Sequence, residues 1–432
     1  MLRESENAGI ALKHADGGYR PDMNASRLPR LDSTAVLMAE GYAWLPGLFR
    51  RTDGHLVRAR LMGRPAVALR GPDAVRFFYD EAHIRRGGAL PEPVRGTLFG
   101  KGAVHGLDGE THRLRKAMFV SLLTAPDAVA ALVEQVAEAW DDAVTGRQGR
   151  MVLFDEVSKV LTLAVCRWSG IPVDESEASA VARDLVSMID GFATLGPRHW
   201  RARRARGRRE RWLADVVKRV RSGSCVPPVG SVLDVVSAHR GADGRLLEPR
   251  IAAVELLNII RPTVAISWFA VYAAHALYRW QECRDRLRTG DPSYGAAFVH
   301  EIRRFYPFAP FVGGMTVTDL DWQGEPIAAD CMVFLDLYGQ NHDKGLWGDP
   351  YAFRPERFLE RPVERDELVP QGGGDPSTGH RCPGEAVTIR VLEALCRRLA
   401  SLEYAVPPQN LSISLRRIPA RIASGFVIIL GK

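Results

Sequence analysis

This sequence lacks the patterns that define several common classes of protein. Its six cysteines include no Cys-x-x-Cys pair, which argues against zinc ribbons, iron–sulfur clusters and thioredoxin-like chemistry. No internal repeat and no Ser-, Gly- or Pro-rich linker divides the 432 residues, and no apolar signal segment opens the chain. We therefore expect one large domain at residues 30–432, in a reducing cytoplasm, after a polar leader at residues 1–29 that is predicted to be disordered. Met23 is an alternative start.

Long hydrophobic runs are also scarce. The longest, residues 251–277, could span a bilayer by length, but Arg261 inside it is costly in lipid, so we predict a buried helix and no transmembrane segment. The formal net charge of +7 owes much to the basic run at residues 197–212. A site for nucleic acid or a membrane surface is one interpretation of that run. We favour a solvated helix face, and expect no nucleic-acid partner, because no nucleic-acid-binding motif accompanies it.

Apolar residues recur at helical spacing through most of the chain, and strand-like runs are short. We predict helices at residues 32–41, 73–80, 109–123, 126–146, 151–169, 175–193, 198–221, 229–239, 247–280, 294–306 and 383–402. Strands are predicted as a hairpin around Gly63, as two runs that flank the turn at residues 321–326, and as two strands around a Pro-containing bend at residues 411–430. The fold class is therefore mainly α with a small β component.

The stretch GGGDPSTGHRCPGE, residues 372–385, contains the most informative cysteine. Its glycines and turn residues predict a loop, and helical spacing resumes directly after it, so Cys382 is expected just before a helix N-terminus. The unpaired amides there, with His380 and Arg381 beside them, are expected to favour a thiolate. A lone thiolate on such a loop can ligate a haem iron. The alternative is a loop cysteine with no chemistry.

The loop resembles the proximal loop of the cytochrome P-450 enzymes, where a Gly, a basic residue two before the Cys and a Gly two after it surround the iron ligand. The matching residues here are Gly379, His380, Cys382 and Gly384. Asp375 stands where the family usually has Phe. The resemblance implies a single large haem-thiolate fold that binds haem b, with Cys382 as the ligand of the iron.

A second resemblance to that family is a Glu-x-x-Arg pair followed by a Pro-Glu-Arg-Phe run. In the family the pair meets the later Arg in a buried charge triad beneath the haem. The matching residues are Glu301, Arg304 and Arg357. The resemblance implies that they hold the core together and take no part in catalysis.

Haem propionates need cations or hydrogen-bond donors. By resemblance, the helix at residues 109–123 supplies them, and the Cys loop adds one more. The residues concerned are His112, Arg115, Lys116 and His380, and His112 and Lys116 share a helix face because they are four residues apart. The alternative is a solvated basic turn.

Arg261 and Pro262 interrupt the long apolar helix. Pro262 removes a backbone hydrogen bond and is expected to kink the helix. A buried Arg261 needs an anionic partner. That partner is either internal, with Glu255 as the candidate, or a substrate carboxylate, which a guanidinium binds through two parallel hydrogen bonds.

Most haem-thiolate monooxygenases carry an acid–alcohol pair at this point of the helix. The Arg-Pro pair instead resembles the fatty-acid peroxygenase subgroup, as do the long Gly-rich loop and residues 99–116 and 303–314. This resemblance implies that the enzyme uses hydrogen peroxide to oxidise free fatty acids at the α or β carbon, without a dedicated reductase. Arg261 and Pro262 then belong to the catalytic site, and the carboxylate of the bound substrate serves as its acid–base group.

His105 stands where the subgroup places a residue above the haem. It is expected either to donate a proton during oxidation or to pack and set the shape of the pocket. We expect hydroxy fatty acids, with terminal alkenes from oxidative decarboxylation as a further product. Residues that match the acyl channel of the subgroup are Phe99, Phe308, Ala309 and Phe311.

Three other functions remain open at this point. A reductase-dependent haem monooxygenase would need an electron-donating partner, which the Arg-Pro pair argues against. A haem-thiolate sensor or carrier would bind haem and form no product. A helical protein without a cofactor would be colourless when purified.

Overall fold

The computed structural model describes residues 31–431 except 53, 90 and 193, so the predicted leader at residues 1–29 lies outside the described residues. Helices dominate. They are α1 Thr34–Glu40, α2 Trp44–Phe49, α3 Pro72–Tyr79, α4 Glu92–Val94, α5 Gly109–Leu123, α6 Pro126–Val144, α7 Leu153–Ser169, α8 Glu175–Asp190, α9 Pro197–Arg221, α10 Val232–Ala238, α11 Pro249–Arg279, α12 Gln281–Arg288, α13 Pro292–Phe305, α14 Leu337–Asn341, α15 Lys344–Trp347, α16 Arg357–Glu360 and α17 Glu385–Ser401.

The strands are short and form three small sheets. They are β1 Leu56–Leu61, β2 Arg64–Leu69, β3 Ile84–Arg85, β4 Gly149–Val152, β5 Phe311–Thr316, β6 Leu320–Trp322, β7 Glu325–Ile327, β8 Met332–Asp336, β9 Tyr404–Ala405 and β10 Val427–Leu430. The largest sheet has the order β1-β2-β8-β5-β3, in which only β2 and β8 are parallel. The mainly helical fold class with a small β component is confirmed.

Two predicted turns have a clear backbone cause. Met62 and Gly63, between β1 and β2, have φ of 49° and 75°, and Gln323 and Gly324, between β6 and β7, have φ of 54° and 86°. Two consecutive left-handed residues give the two-residue hairpin turn whose twist matches the flanking strands. A glycine at the second position of each turn adopts that conformation without steric cost.

Prolines mark the starts of the longer helices. Four of them begin with Pro at the first position: α6, α9, α11 and α13. Pro suits that position because its missing N–H would have no intrahelical partner. At the other end of α7, Gly170 takes the left-handed conformation that closes a helix. These signals explain why the predicted and observed bounds of most helices agree within a few residues.

The centre of the molecule is α11, which packs against α7, α8, α9 and α17. It is the one described helix that by itself is long and apolar enough to cross a membrane, and 94% of its most apolar window is buried inside the protein. The helix runs without interruption through Pro262. Its packing partners on several sides explain why it is apolar nearly all round.

Two features of the predicted secondary structure need correction. Residues 411–415 form no regular strand. They join residues near the C-terminus through a bridge between Ile413 and Ile422 and a hydrogen bond from the Ala423 N–H to the Ser412 carbonyl, so β10 alone of the predicted pair is a strand. Several short helices were not predicted, among them α2 and α12. The sequence of α12 is mostly charged, and its buried residues, Cys283 and Leu287, form a single i, i+4 pair, which is too short a pattern to identify a helix.

Candidate active site

The Cys382 loop is placed as predicted, directly before α17, whose N-cap is Gly384. Gln371 opens the loop and turns back over it: its Nε2 lies 3.7 Å from Cys382 Sγ, a distance suited to a hydrogen bond to sulfur. The Gln371 amide is held in turn, because Arg303 donates to its Oε1 at 3.0 Å and its Nε2 donates to Thr388 at 3.0 Å. Gln371 was not among the residues predicted for the site, although it lies next to the Gly-rich run.

The expectation that these surroundings favour a thiolate is wrong in one respect. Burial of the sulfur raises the pKa of Cys382, and this effect outweighs the Gly384 N–H, Lys116 and Gln371, which all lower it. Arg381 is paired with Glu385 at 2.7 Å, so its charge is largely neutralised. A thiolate at this position therefore needs a metal cation, which removes the thiol proton outright.

The candidate propionate residues gather beside this loop. The ring centroids of His112 and His380 lie 3.8 Å apart in a stacked pair. Burial lowers the pKa of His112 to about 4 and that of His380 to about 2, so both rings are neutral at pH 7. Burial also lowers the pKa of Lys116 to about 8, which leaves it a cation at pH 7. Each of the three still offers N–H donors to a propionate.

Two arginines differ from the prediction for the propionate-binding residues. Arg115 forms a buried ion pair with Glu255, with Nη1 2.6 Å from Oε1, so its guanidinium is already engaged. Arg86 was not predicted. It is 7% exposed, donates to the Gly313 carbonyl at 2.7 Å, and is close enough to lower the pKa of both His112 and His380. In the sequence, only its position as the second arginine of Ile-Arg-Arg, directly after β3, could have indicated Arg86.

Arg261 lies on α11 and is 5% exposed. Its Nη2 donates to Asn258 Oδ1 at 3.1 Å, its Nε has no partner, and it makes no ion pair with any acidic side chain that the structure describes. Glu255, the predicted internal partner, is instead bound to Arg115. Burial lowers the pKa of Arg261 to about 9, so the side chain remains a cation at neutral pH. It has no acidic partner among the described residues.

His105 and Phe99 lie against this arginine. The ring centroids of His105 and Phe99 are 4.3 Å apart, and the Arg261 guanidinium carbon lies 5.9 Å from the centre of the Phe99 ring. Burial, followed by the charge of Arg261, lowers the pKa of His105 to about 3. The imidazole is therefore neutral at pH 7, which supports the packing role over donation of a proton from an imidazolium.

The other predicted channel residues are spread over different parts of the core. Phe308 packs against Trp268 and Phe269, with ring centroids 6.1 Å and 5.0 Å away. Phe311 belongs to a separate cluster with Trp44 and Phe334, and Ala309 packs on a third cluster around β8. Their role as channel wall stays a prediction, whereas Phe99 lies beside Arg261.

The charge triad comes together as the resemblance implied. Glu301 binds Arg304 through two hydrogen bonds of 2.7 and 2.8 Å, and Arg357 Nε lies 3.1 Å from the second oxygen. The backbone N–H of Arg354 adds a fourth contact at 2.8 Å. Glu301 and Arg304 have fully buried side chains. Three hydrogen bonds and one ion-pair contact around one carboxylate link α13 to α16 and to the segment between them.

The residues around Cys382 fit a haem. Three polar atoms of the candidate site residues are buried without a hydrogen-bond partner among the described residues: Nδ1 of His105, Nδ1 of His112 and Nε of Arg261. Buried polar atoms are rarely left unpaired, so this arrangement indicates a bound group with polar edges. The donors of His112 and Lys116 would hold the propionates of a porphyrin, and the Cys382 thiol would hold its iron.

Comparison with known proteins agrees with this geometry. The family model described as Cytochrome P450 matches residues 293–402. Among curated proteins, dog (Canis lupus familiaris) cytochrome P450 1A2 is 34% identical over 197 residues, which cover 39% of this chain and 37% of that relative. The match thus spans less than half of the length of the curated relative.

Solved structures match over nearly the whole chain. A variant of cytochrome P450SP alpha (CYP152B1) is 40% identical, with a TM-score of 0.89 over 92% of this chain and 98% of that one. Cytochrome P450EX alpha (CYP152N1) with myristic acid is 35% identical, with a TM-score of 0.89 over 93% of this chain and 97% of that one. A variant of cytochrome P450 OleT in complex with arachidonic acid is 33% identical, with a TM-score of 0.90 over 93% and 96%.

The fold and the Cys382 site define a haem-thiolate protein. The chain belongs to the cytochrome P450 family, and within it to the CYP152 group, which confirms the resemblance to the fatty-acid peroxygenases.

Proposed function

We propose that this protein is a fatty-acid peroxygenase that holds haem b through Cys382 and oxidises free fatty acids with hydrogen peroxide. One observation indicates the class of substrate: Arg261 is a buried cation that has no acidic partner among the described residues. A buried, unpaired charge costs several kcal/mol, and a carboxylate that enters beside it offsets that cost. Structural relatives crystallised with myristic and arachidonic acid support the same class of substrate.

Arg261 binds and orients the substrate. A guanidinium can give a carboxylate two parallel hydrogen bonds, which fix its direction as well as its position. A fatty acid held by its head presents the α and β carbons first to the group above Cys382. Oxidation is therefore expected next to the carboxylate, and Phe99, beside Arg261, forms part of the surrounding wall.

The side chains around Arg261 offer no proton of their own. Pro262 has no titratable group, the Thr263 hydroxyl donates to the Ile259 carbonyl at 3.0 Å, and His105 is neutral. The carboxylate that Arg261 holds is then the nearest group able to take up and return a proton. This arrangement suits peroxide, which brings its own protons and both oxidising equivalents.

The haem, when bound, supplies the oxidising iron centre that reacts with hydrogen peroxide. The chain would hold it through Cys382 and through donors from His112, Lys116, His380 and Arg86. Overall, a fatty acid and one peroxide give a hydroxy acid and one water. Alternatively they give a terminal alkene, carbon dioxide and two waters, and both equations balance without a reductase. We propose that no dedicated reductase is required and that the enzyme acts in the cytoplasm.

The test is turnover of myristic acid with hydrogen peroxide alone, comparing the unmodified holoenzyme with Arg261→Leu. We expect the variant to bind haem with a normal Soret spectrum and to lose activity by about 100-fold or more, because two charge-assisted hydrogen bonds are removed. Arg204→Leu, at an exposed arginine of α9, is the matched control and should keep full activity. Full activity of Arg261→Leu would contradict the proposal.

The same assay separates the other candidate functions. A reductase-dependent monooxygenase would form product only with an electron donor and dioxygen. A haem-thiolate sensor would show the Soret band of a thiolate-ligated haem and form no product under either condition. Gas chromatography of the products then distinguishes hydroxy acids from alkenes.

A further inference from the structure

Asn258 lies one helical turn before Arg261 on α11 and is 5% exposed. Its side chain makes three hydrogen bonds. Oδ1 accepts from Arg261 Nη2 at 3.1 Å, and Nδ2 donates to the Phe99 carbonyl at 3.0 Å and to Glu255 Oε2 at 3.1 Å. It therefore contacts the substrate-binding arginine, the segment that carries Phe99, and the buried carboxylate of Glu255.

The orientation of the Asn258 amide is determined by its neighbours. Two of them, a carbonyl and a carboxylate, can only accept, and the third, a guanidinium, can only donate. A flipped amide would set its NH₂ against Arg261 and its oxygen against two acceptors, so only one orientation satisfies all three contacts. Asn258 is thus locked, and it holds one nitrogen of Arg261 in place.

The negative charge of Glu255 is balanced by Arg115, so it does not need a charged residue at position 258. Glu255 has no exposed side-chain surface, and its Oε1 accepts from Arg115 Nη1 at 2.6 Å and from the Val104 N–H at 2.9 Å. The ion pair with Arg115 satisfies its charge. Arg115, Glu255, Asn258 and Arg261 therefore form one buried chain of hydrogen bonds in which the charge of Arg261 alone is not balanced by an opposite charge.

We propose that Asn258 is the positioning residue of Arg261 and that its neutrality makes the site selective for a carboxylate. This inference rests on the proposed function and assigns a second residue to substrate selection. A neutral acceptor holds Nη2 without cancelling the positive charge and leaves Nε free for the ligand. An acidic residue at the same distance would form an internal ion pair and remove the need for an anionic substrate.

The Asn258–Phe99 bond adds a geometric consequence. The Phe99 carbonyl also accepts from Arg206 Nη2 of α9 at 2.9 Å, so the Phe99 segment is held from both α9 and α11. Asn258 therefore connects Phe99, in the wall of the site, to Arg261 within it. Loss of Asn258 should loosen Arg261 relative to Phe99 without unfolding the protein.

The experiment compares the dissociation constants of myristic acid and tetradecan-1-ol for the holoenzyme, measured by calorimetry at pH 8. The variants are Asn258→Asp and Asn258→Leu. Asn258→Asp keeps the shape, adds a charge beside Arg261 and replaces the Nδ2 donor by an oxygen that faces the Phe99 carbonyl and Glu255, whereas Asn258→Leu removes the hydrogen bonds. Ser267→Ala is the matched control on the same helix, since Ser267 is fully buried and its hydroxyl has no partner. A merely structural role would weaken the binding of acid and alcohol equally.

For Asn258→Asp we expect affinity for the acid to fall by about 100-fold and affinity for the alcohol to change by less than about 3-fold. For Asn258→Leu we expect about a 10-fold loss for the acid, because one hydrogen bond that orients the guanidinium is missing. If the unmodified enzyme does not prefer the acid, the proposed function fails. If it prefers the acid and Asn258→Asp keeps that preference, the role of Asn258 is refuted.

Discussion

Replacement of Glu301 by Gln tests how the core beneath Cys382 is held. The change keeps the shape of the side chain and removes its charge. Glu301 has no exposed surface, and neither has Arg304, while Arg357 is only 7% exposed. Gln can accept at one oxygen, so two guanidinium groups lose the carboxylate that balances them. Arg304 keeps its bonds to the carbonyls of Asn341 and Pro350, at 2.9 and 2.8 Å.

The magnitude follows from burial. Removal of one partner from a buried ion pair costs about 3–5 kcal/mol, because the other charge remains buried and unpaired. Because the carbonyl contacts and one amide oxygen remain, we expect Glu301→Gln to lower the free energy of unfolding by about 3 kcal/mol. A nearby ion pair between Arg354 and Glu360 provides the control, since both side chains are about half exposed, at 50% and 54%. Glu360→Gln should cost about 0–1 kcal/mol.

The measurement is the free energy of unfolding of each holoenzyme in denaturant, with the Soret absorbance followed in parallel. We expect Glu301→Gln to unfold at clearly lower denaturant concentration than Glu360→Gln, with an unchanged slope. Free energies for the two variants within about 1 kcal/mol of each other would show that the buried triad is not what holds these elements together.

Two further predictions concern the haem pocket. Gln371→Leu removes the N–H that points at Cys382 Sγ, so the thiolate becomes a stronger electron donor and the reduction potential of the haem should fall; an unchanged potential would contradict that hydrogen bond. His105→Gln should leave the pH profile of kcat/KM unchanged between pH 5 and 8. The pKa of His105 in the folded protein is about 3, below its ordinary 6.5, so it takes up a proton only below that window. Loss of a titration step in this variant would refute the assignment of a neutral imidazole.

Sequence patterns were sufficient for the long helices, and they provided the candidate site residues. Helical periods placed α5, α9 and α11, and glycines placed the hairpin turns. The Cys loop and the Arg-Pro pair were recognisable because each is a local run of unusual residues. The short helices and the irregular C-terminal segment were not, since their residues pack against distant parts of the chain and show no period of their own.

Charge states and pairings could not be read from the sequence in the same way. Glu255 and Arg261 are six residues apart on one helix, yet Glu255 binds Arg115 of α5, and Arg261 donates a hydrogen bond to Asn258. His380 and Arg381 looked like sources of positive charge for Cys382, but one is neutral and the other is paired with Glu385. Desolvation and pairing depend on which groups meet in space.

The sequence by itself determined that a single cysteine follows a glycine-rich loop and that an arginine interrupts an apolar helix, because both are covalent facts of the chain. Only the tertiary structure decided that this arginine has no acidic partner among the residues it describes. Arg115 of α5 binds Glu255 in an ion pair, and burial makes the remaining positive charge of Arg261 expensive until an anion enters.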